Sequence, residues 1–519
     1  MKNKLLKFMA IMILSITLSL LYSCSTPYII TNERKSIGRN LITKADIQAD
    51  LSYFEDRIDN FYVDTTTNSL TVQIRGVSSN KRWLDNKGHI VLFNLNNDSA
   101  KWSMNINYQT STIYQKNNMI IQTKGNTSSC LFYRTGGNKW SINNQLIFTD
   151  FKRKIGFGFI QNGKNRDIIG GVDLNNGKPL WERVIDSDYG WNDITPLNDS
   201  VRIVVAEGLH SINLKTGGGW DFKALTGKKD YAGTIAMNAA GVAVGMFTGA
   251  FIYTTGYDLY HGIVSNTWID STSIYWAAKQ KIVKLNHEGQ IQWEYDFPID
   301  KASKSDIFLI DSLVYMVNFG YAYYNNKFTD FGHPFVAAFN QNSGQKVFLS
   351  ELNDNKSTIN DYYIKNQDLL TISNTRISKY SLTDGSLEQE KIIDTDSLGY
   401  LKRFVTKHLY IKQDSTFKTL EEIDSLNLYL LTKKDKIIAI NDKFEVVKQL
   451  DDFIPYITYL VKDGYKFIGS LNESYILDKN GKVVANISVS RNAVFIGSKL
   501  YDCKENAMVI VDLKDILLK

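Results

Sequence analysis

Six histidines could serve as bases or metal ligands: His89, His210, His261, His287, His333 and His408. None stands four residues from another or within H-E-x-x-H, so no zinc site is signalled. A G-x-S-x-G nucleophile turn and a P-loop are also missing. The acidic run Asp186-Ser187-Asp188-Tyr189-Gly190-Trp191-Asn192-Asp193 lacks the spaced ligands and terminal Glu of a calcium-binding EF-hand loop. The sequence therefore leads us to expect no catalytic residues, no metal and no cofactor. Three cysteines are too few for a disulfide scaffold. Lys plus Arg number 60 against 54 Asp plus Glu, and Lys2, Lys4 and Lys7 at the N-terminus supply three of the six net positives. A balance this even over 519 residues argues against a nucleic-acid partner.

Cys24 is the one residue whose setting points to a definite reaction. Behind the three lysines, Phe8 to Leu21 is an uncharged apolar run of signal-peptide length, short for a membrane span. It ends in Leu21-Tyr22-Ser23-Cys24. This resembles a bacterial lipobox, which implies cleavage after residue 23 and acylation of Cys24. Several acyl chains would anchor the chain firmly, at about 0.8 kcal/mol per buried CH₂. Ser25 follows the cysteine, and no Asp occurs before Asp46. By resemblance to sorting signals, that implies the outer membrane, facing the periplasm, with surface display left open. Cys130 and Cys503 remain, either as a pair or as two buried small hydrophobes.

The elements that would carry a working surface come next. Residues 25–40 are polar and read as a tether. Ile47, Leu51, Phe54, Ile58 and Phe61 recur at spacings of 4, 3, 4 and 3, predicting an amphipathic helix over about 44–62. Thr43 with Asp46 would cap it. Such a helix either packs on the domain that follows or docks a partner.

Beyond residue 65 the chain repeats. Strand-like segments end in a Gly- or Asn-bearing turn and then a tryptophan, at Trp102, Trp140, Trp181, Trp220 and Trp293. Degenerate copies follow at Phe348, Gln389, Val447 and Ala485. The first tryptophans are 38, 41 and 39 residues apart. A period near 40 with four strands per unit predicts a β-propeller. Val172-Asp173-Leu174-Asn175-Asn176-Gly177-Lys178-Pro179-Leu180-Trp181 is similar to the tryptophan-docking repeat of the pyrroloquinoline-quinone-like (PQQ-like) β-propeller family. The resemblance covers about residues 65–515, strongly up to Trp293. It implies that each tryptophan stacks on a glycine turn of a neighbouring blade, a structural role. The family norm is eight blades, and the count of turns leaves seven to ten open. Quinone dehydrogenases of this family add adjacent cysteines over the cofactor. Cys130 and Cys503 are not adjacent, so that activity is not expected.

Two segments break the period. Trp220 and Trp293 are 73 residues apart, leaving an insert at about 228–262, and residues 232–257 carry no charge. Gly241, Gly245 and Gly249, with Met246 and Phe247, would form a flat apolar face if helical. This insert is read as a hairpin packed on the propeller, a partner- or membrane-contacting element, or a span. Residues 320–334, GYAYYNNKFTDFGHP, read as an aromatic contact loop or a cover for an adjacent blade. Asp-Ser/Thr before a small or aliphatic residue or Thr recurs at Thr65, Ser99, Ser200, Ser271, Ser312, Ser397, Ser415 and Ser425. Strand-start turns account for several of these, and the pattern also resembles a bacterial O-glycosylation sequon.

The domains are then a signal peptide (1–23), a lipidated tether with helix (24–64) and an all-β propeller (65–519). A lipid-anchored propeller resembles the BamB-type lipoprotein of outer-membrane β-barrel assembly. That implies a non-catalytic scaffold holding an envelope or outer-membrane protein partner. The extra length, the helix and the uncharged insert depart from that family. The alternative is a sensor or enzyme using the propeller's central channel, which needs ionisable residues converging at one end.

Overall fold

The computed structural model describes residues 29–64, 67–77, 84–95, 99–116, 118–160, 168–229, 259–352, 358–405, 409–413, 416–424, 426–450, 456–469, 474–490 and 492–516. Cys24, the signal peptide and Gly241, Gly245, Met246, Phe247 and Gly249 lie outside them. The described residues form nine four-stranded antiparallel sheets and one larger sheet. Eight of the nine follow chain order, two of them interrupted by an insertion. Such meanders, made on a period near 40, are the blades of a β-propeller.

The chain divides into two compact units. The smaller comprises residues 1–124, 129–140 and 459–519. It holds the meander Arg57–Asp64, Ser69–Val77, Leu84–Asn94 and Ser99–Asn107. It also joins the first described strands to the last. Ile29–Asn40 pairs with Asp46–Phe54 and with Val483–Ile487. Asp46–Phe54 pairs in turn with Ala507–Asp512, Leu51 opposite Val509. Residues 46–64 are therefore two strands, which corrects the expected helix. Ile47, Ala49 and Leu51 alternate into the core at the strand period. The alternation slips at Ser52-Tyr53, both half-buried, so Phe54 and then Ile58 fall on the other parity and are buried too. A period of two broken by that slip and by the bulge between Ile58 and Asn60 reproduces the 4-3-4-3 spacing of a helix. The expected tether is corrected in part: residues 29–40 form a strand. Its side chains at 31–36 are exposed, so it is held there by backbone bonds and its composition reads as linker.

The larger unit, residues 125–128 and 141–458, stacks its sheets face to face. The inner strands of its stacked meanders bury both faces. In Val201–Ala206, Val204 and Ala206 pack with Phe157, Trp181 and Trp191, while Ile203 and Val205 pack with Ile274, Trp276 and Val283. Tyr275 and Ala277 then turn to Val314, Met316 and Phe339 in the next sheet. Near-continuous apolar strands follow from this double burial.

Within each unit the repeat aromatics tie one sheet to the next. Trp102 donates its indole N–H to the Tyr133 carbonyl (2.7 Å), Trp181 to Leu214 (2.8 Å), Trp220 to His287 (2.8 Å) and Trp293 to Gln341 (2.9 Å). Each ring lies flat on the glycine turn beside that carbonyl. A Cβ added to Gly136, Gly217 or Gly344 would meet the Trp102, Trp181 or Trp293 ring at 2.5–2.6 Å. Gly289 meets Trp220 in the same way, and Gly385 meets Phe348. A bulge before Trp102, Trp181, Trp293 and Phe348 aims each of them: Gly171 pairs with Trp181, but Val172 with Pro179. Trp140 is buried in strand Asn138–Ile142.

Candidate binding surface

The two segments that break the repeat meet in one place. Lys228–Lys229 and Leu259–His261, the strands flanking the uncharged insert, pair antiparallel. Leu259–His261 continues onto Tyr321–Tyr324, His261 opposite Tyr323. Tyr321–Tyr324 folds back on Lys327–Asp330. The segment read as an aromatic loop is thus a hairpin. Its two turn residues, Asn325 and Asn326, have φ of 48° and 63°. Asparagine tolerates that left-handed conformation, which two-residue hairpin turns require. The result is a ninth, accessory sheet, with the root of the uncharged insert on one side and Lys327–Asp330 as the edge strand on the other among the described residues.

Aromatic rings knit this sheet together. Tyr260 packs on Tyr324 (4.8 Å between centroids) and Phe331 (5.2 Å), His261 stacks on Tyr323 (5.7 Å), and Tyr321 contacts Phe328 (4.5 Å). His261 is buried, and burial drives its imidazole down to about 4 against a hydrogen bond to Asn326 that favours the charged ring. It is therefore neutral near pH 7 and behaves as a core ring. Phe328 is 56% exposed in the edge strand. The root of the insert is pinned by charge: Lys228 and Lys279 both pair with Asp300. Burial opposes ionisation of Asp300, but the two lysines prevail and hold it below the usual carboxylate range.

A second cluster forms on neighbouring strands. Lys304 leads into Ser305–Ile310, which carries Asp306, and Asp361 and Tyr362 open the first strand of the next sheet. Tyr362 donates its hydroxyl to Asp306, and burial lifts both pKa values. The Asp361 carboxylate accepts from the Phe404 N–H (2.8 Å) and the Tyr362 N–H (2.9 Å). Burial lowers the Lys304 pKa, while Asp306 and Asp193 oppose the shift. Lys304 makes no side-chain ion pair among the described residues. Nothing in the sequence spacing marked this convergence, because its members lie up to 58 residues apart and only strand stacking joins them. The Asn325-Asn326 turn, by contrast, was a readable hairpin signal.

No protein-family model and no curated protein matches the sequence. Solved structures that match include BamB from Moraxella catarrhalis, at 12% identity and a TM-score of 0.32, covering 73% of this chain and 96% of that one. Apo AztD from Citrobacter koseri matches at 8% identity and a TM-score of 0.30, covering 70% and 91%. The computationally designed Ika8 protein matches at 10% and 0.29, covering 78% and 100%. The assignment to the β-propellers rests on this chain's own sheets and docking turns.

The remaining candidates from the sequence are placed as follows. Cys130 and Cys503 are free thiols, one buried and one half-buried. The acidic run at 186–193 spends its carboxylates locally. Asp186 pairs with Lys223 and Asp188 with Lys229, while Asp193 accepts from the Ile194 N–H and the Thr195 hydroxyl. Among the described residues no three His, Cys, Asp or Glu side chains gather as metal ligands, and no helix is long and apolar enough to cross a membrane.

Proposed function

We propose that this chain is a lipid-anchored, periplasm-facing propeller that binds an envelope protein partner without catalysing a reaction. The accessory sheet carries the reading. It is built wholly from departures from the repeat, ends among the described residues in an unpaired strand edge, and presents an exposed phenylalanine beside a tyrosine-rich core. An open edge can add a partner's strand through backbone hydrogen bonds, with aromatic side chains supplying contact energy. The strands that flank the uncharged 232–257 segment, Lys228–Lys229 and Leu259–His261, belong to this same sheet. The N-terminal lipobox supports membrane attachment through Cys24, and the outer membrane is its proposed site. The PQQ-like assignment is supported by the indole-on-glycine contacts.

The test is affinity purification from detergent-solubilised envelopes with the full protein, a 232–257 deletion and Phe328→Asp. A membrane protein retained by the full chain and lost from both variants supports the reading. Equal capture by all three, or none by any, refutes it. Replacing Cys24 with Ala should release the chain from the membrane fraction.

The second reading, a ligand site, is favoured by Lys304, Asp306, Asp361 and Tyr362. A half-buried ammonium with no ion-pair partner among the described residues, acted on by Asp306 and Asp193, suits a small polar ligand that completes its charge balance. A thermal shift with a panel of small carboxylates, abolished in Lys304→Met, would support it.

A further inference from the structure

We propose that the Asp-Ser turns are sites of covalent O-glycosylation. Ser200, Ser271 and Ser312 each sit in the turn between the first and second strands of a sheet in the larger unit. All three are exposed. The simplest account is that Asp and Ser stabilise a strand-start turn, and the structure divides that labour unevenly. The aspartates are used: Asp270 accepts from the Thr272 and Ser273 N–H groups (2.8 Å each), Asp199 pairs with Arg153 (3.2 Å), and Asp311 adopts a left-handed φ of 52°. Of the serines the fold uses only the backbone. The Ser200 carbonyl accepts from the Leu214 N–H (2.9 Å), and the Ser312 carbonyl from the Gln341 N–H (2.8 Å).

Other sheets make the same bond without a serine. The Lys154 carbonyl accepts from Leu174, and the Gln367 carbonyl from Leu382, both at 2.9 Å. The position therefore asks for a carbonyl and tolerates a long side chain. Among the described residues the hydroxyls of Ser200, Ser271 and Ser312 make no hydrogen bond. A recurrent hydroxyl that the fold neither buries nor bonds is free for chemistry from outside.

The neighbouring carboxylate narrows that chemistry. It would repel a phosphoryl group placed beside it, whereas a neutral sugar meets no such penalty. The inference rests on the export half of the proposed function, which takes the chain away from cytoplasmic ATP. The serine oxygen attacks the anomeric carbon of a diphosphate-activated sugar. A C–O bond forms there, the sugar–diphosphate bond breaks, and the diphosphate leaves with the electron pair. The hydroxyl proton passes to the transferase's base. Placement fits the binding surface too. In one sheet, Ser312 and the accessory hairpin lie at opposite ends of strand Leu313–Asn318, roughly 20 Å apart at 3.3 Å per residue. A glycan at Ser312 would leave the accessory sheet uncovered.

The experiment is fractionation of the native host followed by peptide mass spectrometry of the full chain. Envelope-associated protein with a sugar mass on the peptides holding Ser200, Ser271 and Ser312, released by β-elimination, is the expected result. Ser312→Ala should remove the mass at that site alone and leave the thermal midpoint unchanged. Envelope protein with bare serines, or with a phosphoryl mass, overturns the inference and leaves the scaffold reading standing. Unmodified chain outside the envelope overturns both.

Discussion

Substituting Gly136 tests whether the indole-on-glycine contact holds the sheets together. Its φ is +70°, and the Trp102 ring lies 2.6 Å from where a Cβ would stand. Alanine in the left-handed region costs about 1–2 kcal/mol. Forcing aside a ring that is only 7% exposed adds about 1–3 kcal/mol of overpacking strain. Losing the 2.7 Å indole bond to the Tyr133 carbonyl adds about 1 kcal/mol. Gly136→Ala should therefore destabilise the smaller unit by about 3–6 kcal/mol. Gly481 is the matched control: it lies in the same unit at φ +79° with nothing within 4 Å, so Gly481→Ala should cost the backbone term alone, about 1–2 kcal/mol. The assay is urea unfolding followed by far-UV circular dichroism. In a Trp102→Leu background, Gly136→Ala should fall to the cost of the control, because the ring it strikes is gone. Equal costs for the two alanines in the parent chain would refute the reasoning.

Further outcomes follow from the geometry. His261 titrates near 4 when folded against an ordinary 6.5, so the unfolded chain binds the proton first as pH falls. Stability should be full above pH 6.5 and decline by about 3 kcal/mol towards pH 4, with His261→Phe flattening that part of a urea-midpoint profile. Arg183 reaches from its own sheet to the Ser211 carbonyl (2.6 Å), the Gly217 carbonyl (3.1 Å) and Asp221 (2.6 Å). Arg183→Met should lower stability by about 2 kcal/mol, since Asp221 is 43% exposed and recovers water; a loss below about 0.5 kcal/mol in urea titration would count against the clamp. Cys503 is pushed up to about 11 by burial. Both thiols should resist iodoacetamide at pH 8 in the native chain and react fully in urea without reductant; protection that persists in urea would indicate a pairing absent from this structure.

The docking turns were legible in the sequence because their chemistry sits in two residue types at fixed spacing. Indole and glycine are costly to replace there, so Trp102 with Gly136 and Trp293 with Gly344 survive as a pattern. At Gln389 no aromatic stands, and Phe444 occupies the turn with φ of 56°, so the pattern fades while the strands persist. The helix over 44–62 was misread because a slip at 52–53 and a bulge between Ile58 and Asn60 reset alternating strands into helical spacing. The strand at 29–40 was invisible because paired backbone has no compositional mark. The accessory sheet was half legible: its aromatics were plain, but its partner strand lies more than 50 residues upstream, and only the fold supplies that pairing.

The pairing of Asp46–Phe54 with Ala507–Asp512 has a kinetic consequence. The Phe54 N–H donates to the Asn506 carbonyl, 452 residues away. Closing a loop of that length costs about 5 kcal/mol of chain entropy before any contact rewards it. For a chain that emerges N-terminus first, an early strand therefore remains an unsatisfied edge throughout synthesis. It is open to wrong partners until the last strands arrive, and a holding factor that shields residues 46–54 during that interval would raise the yield of folded protein.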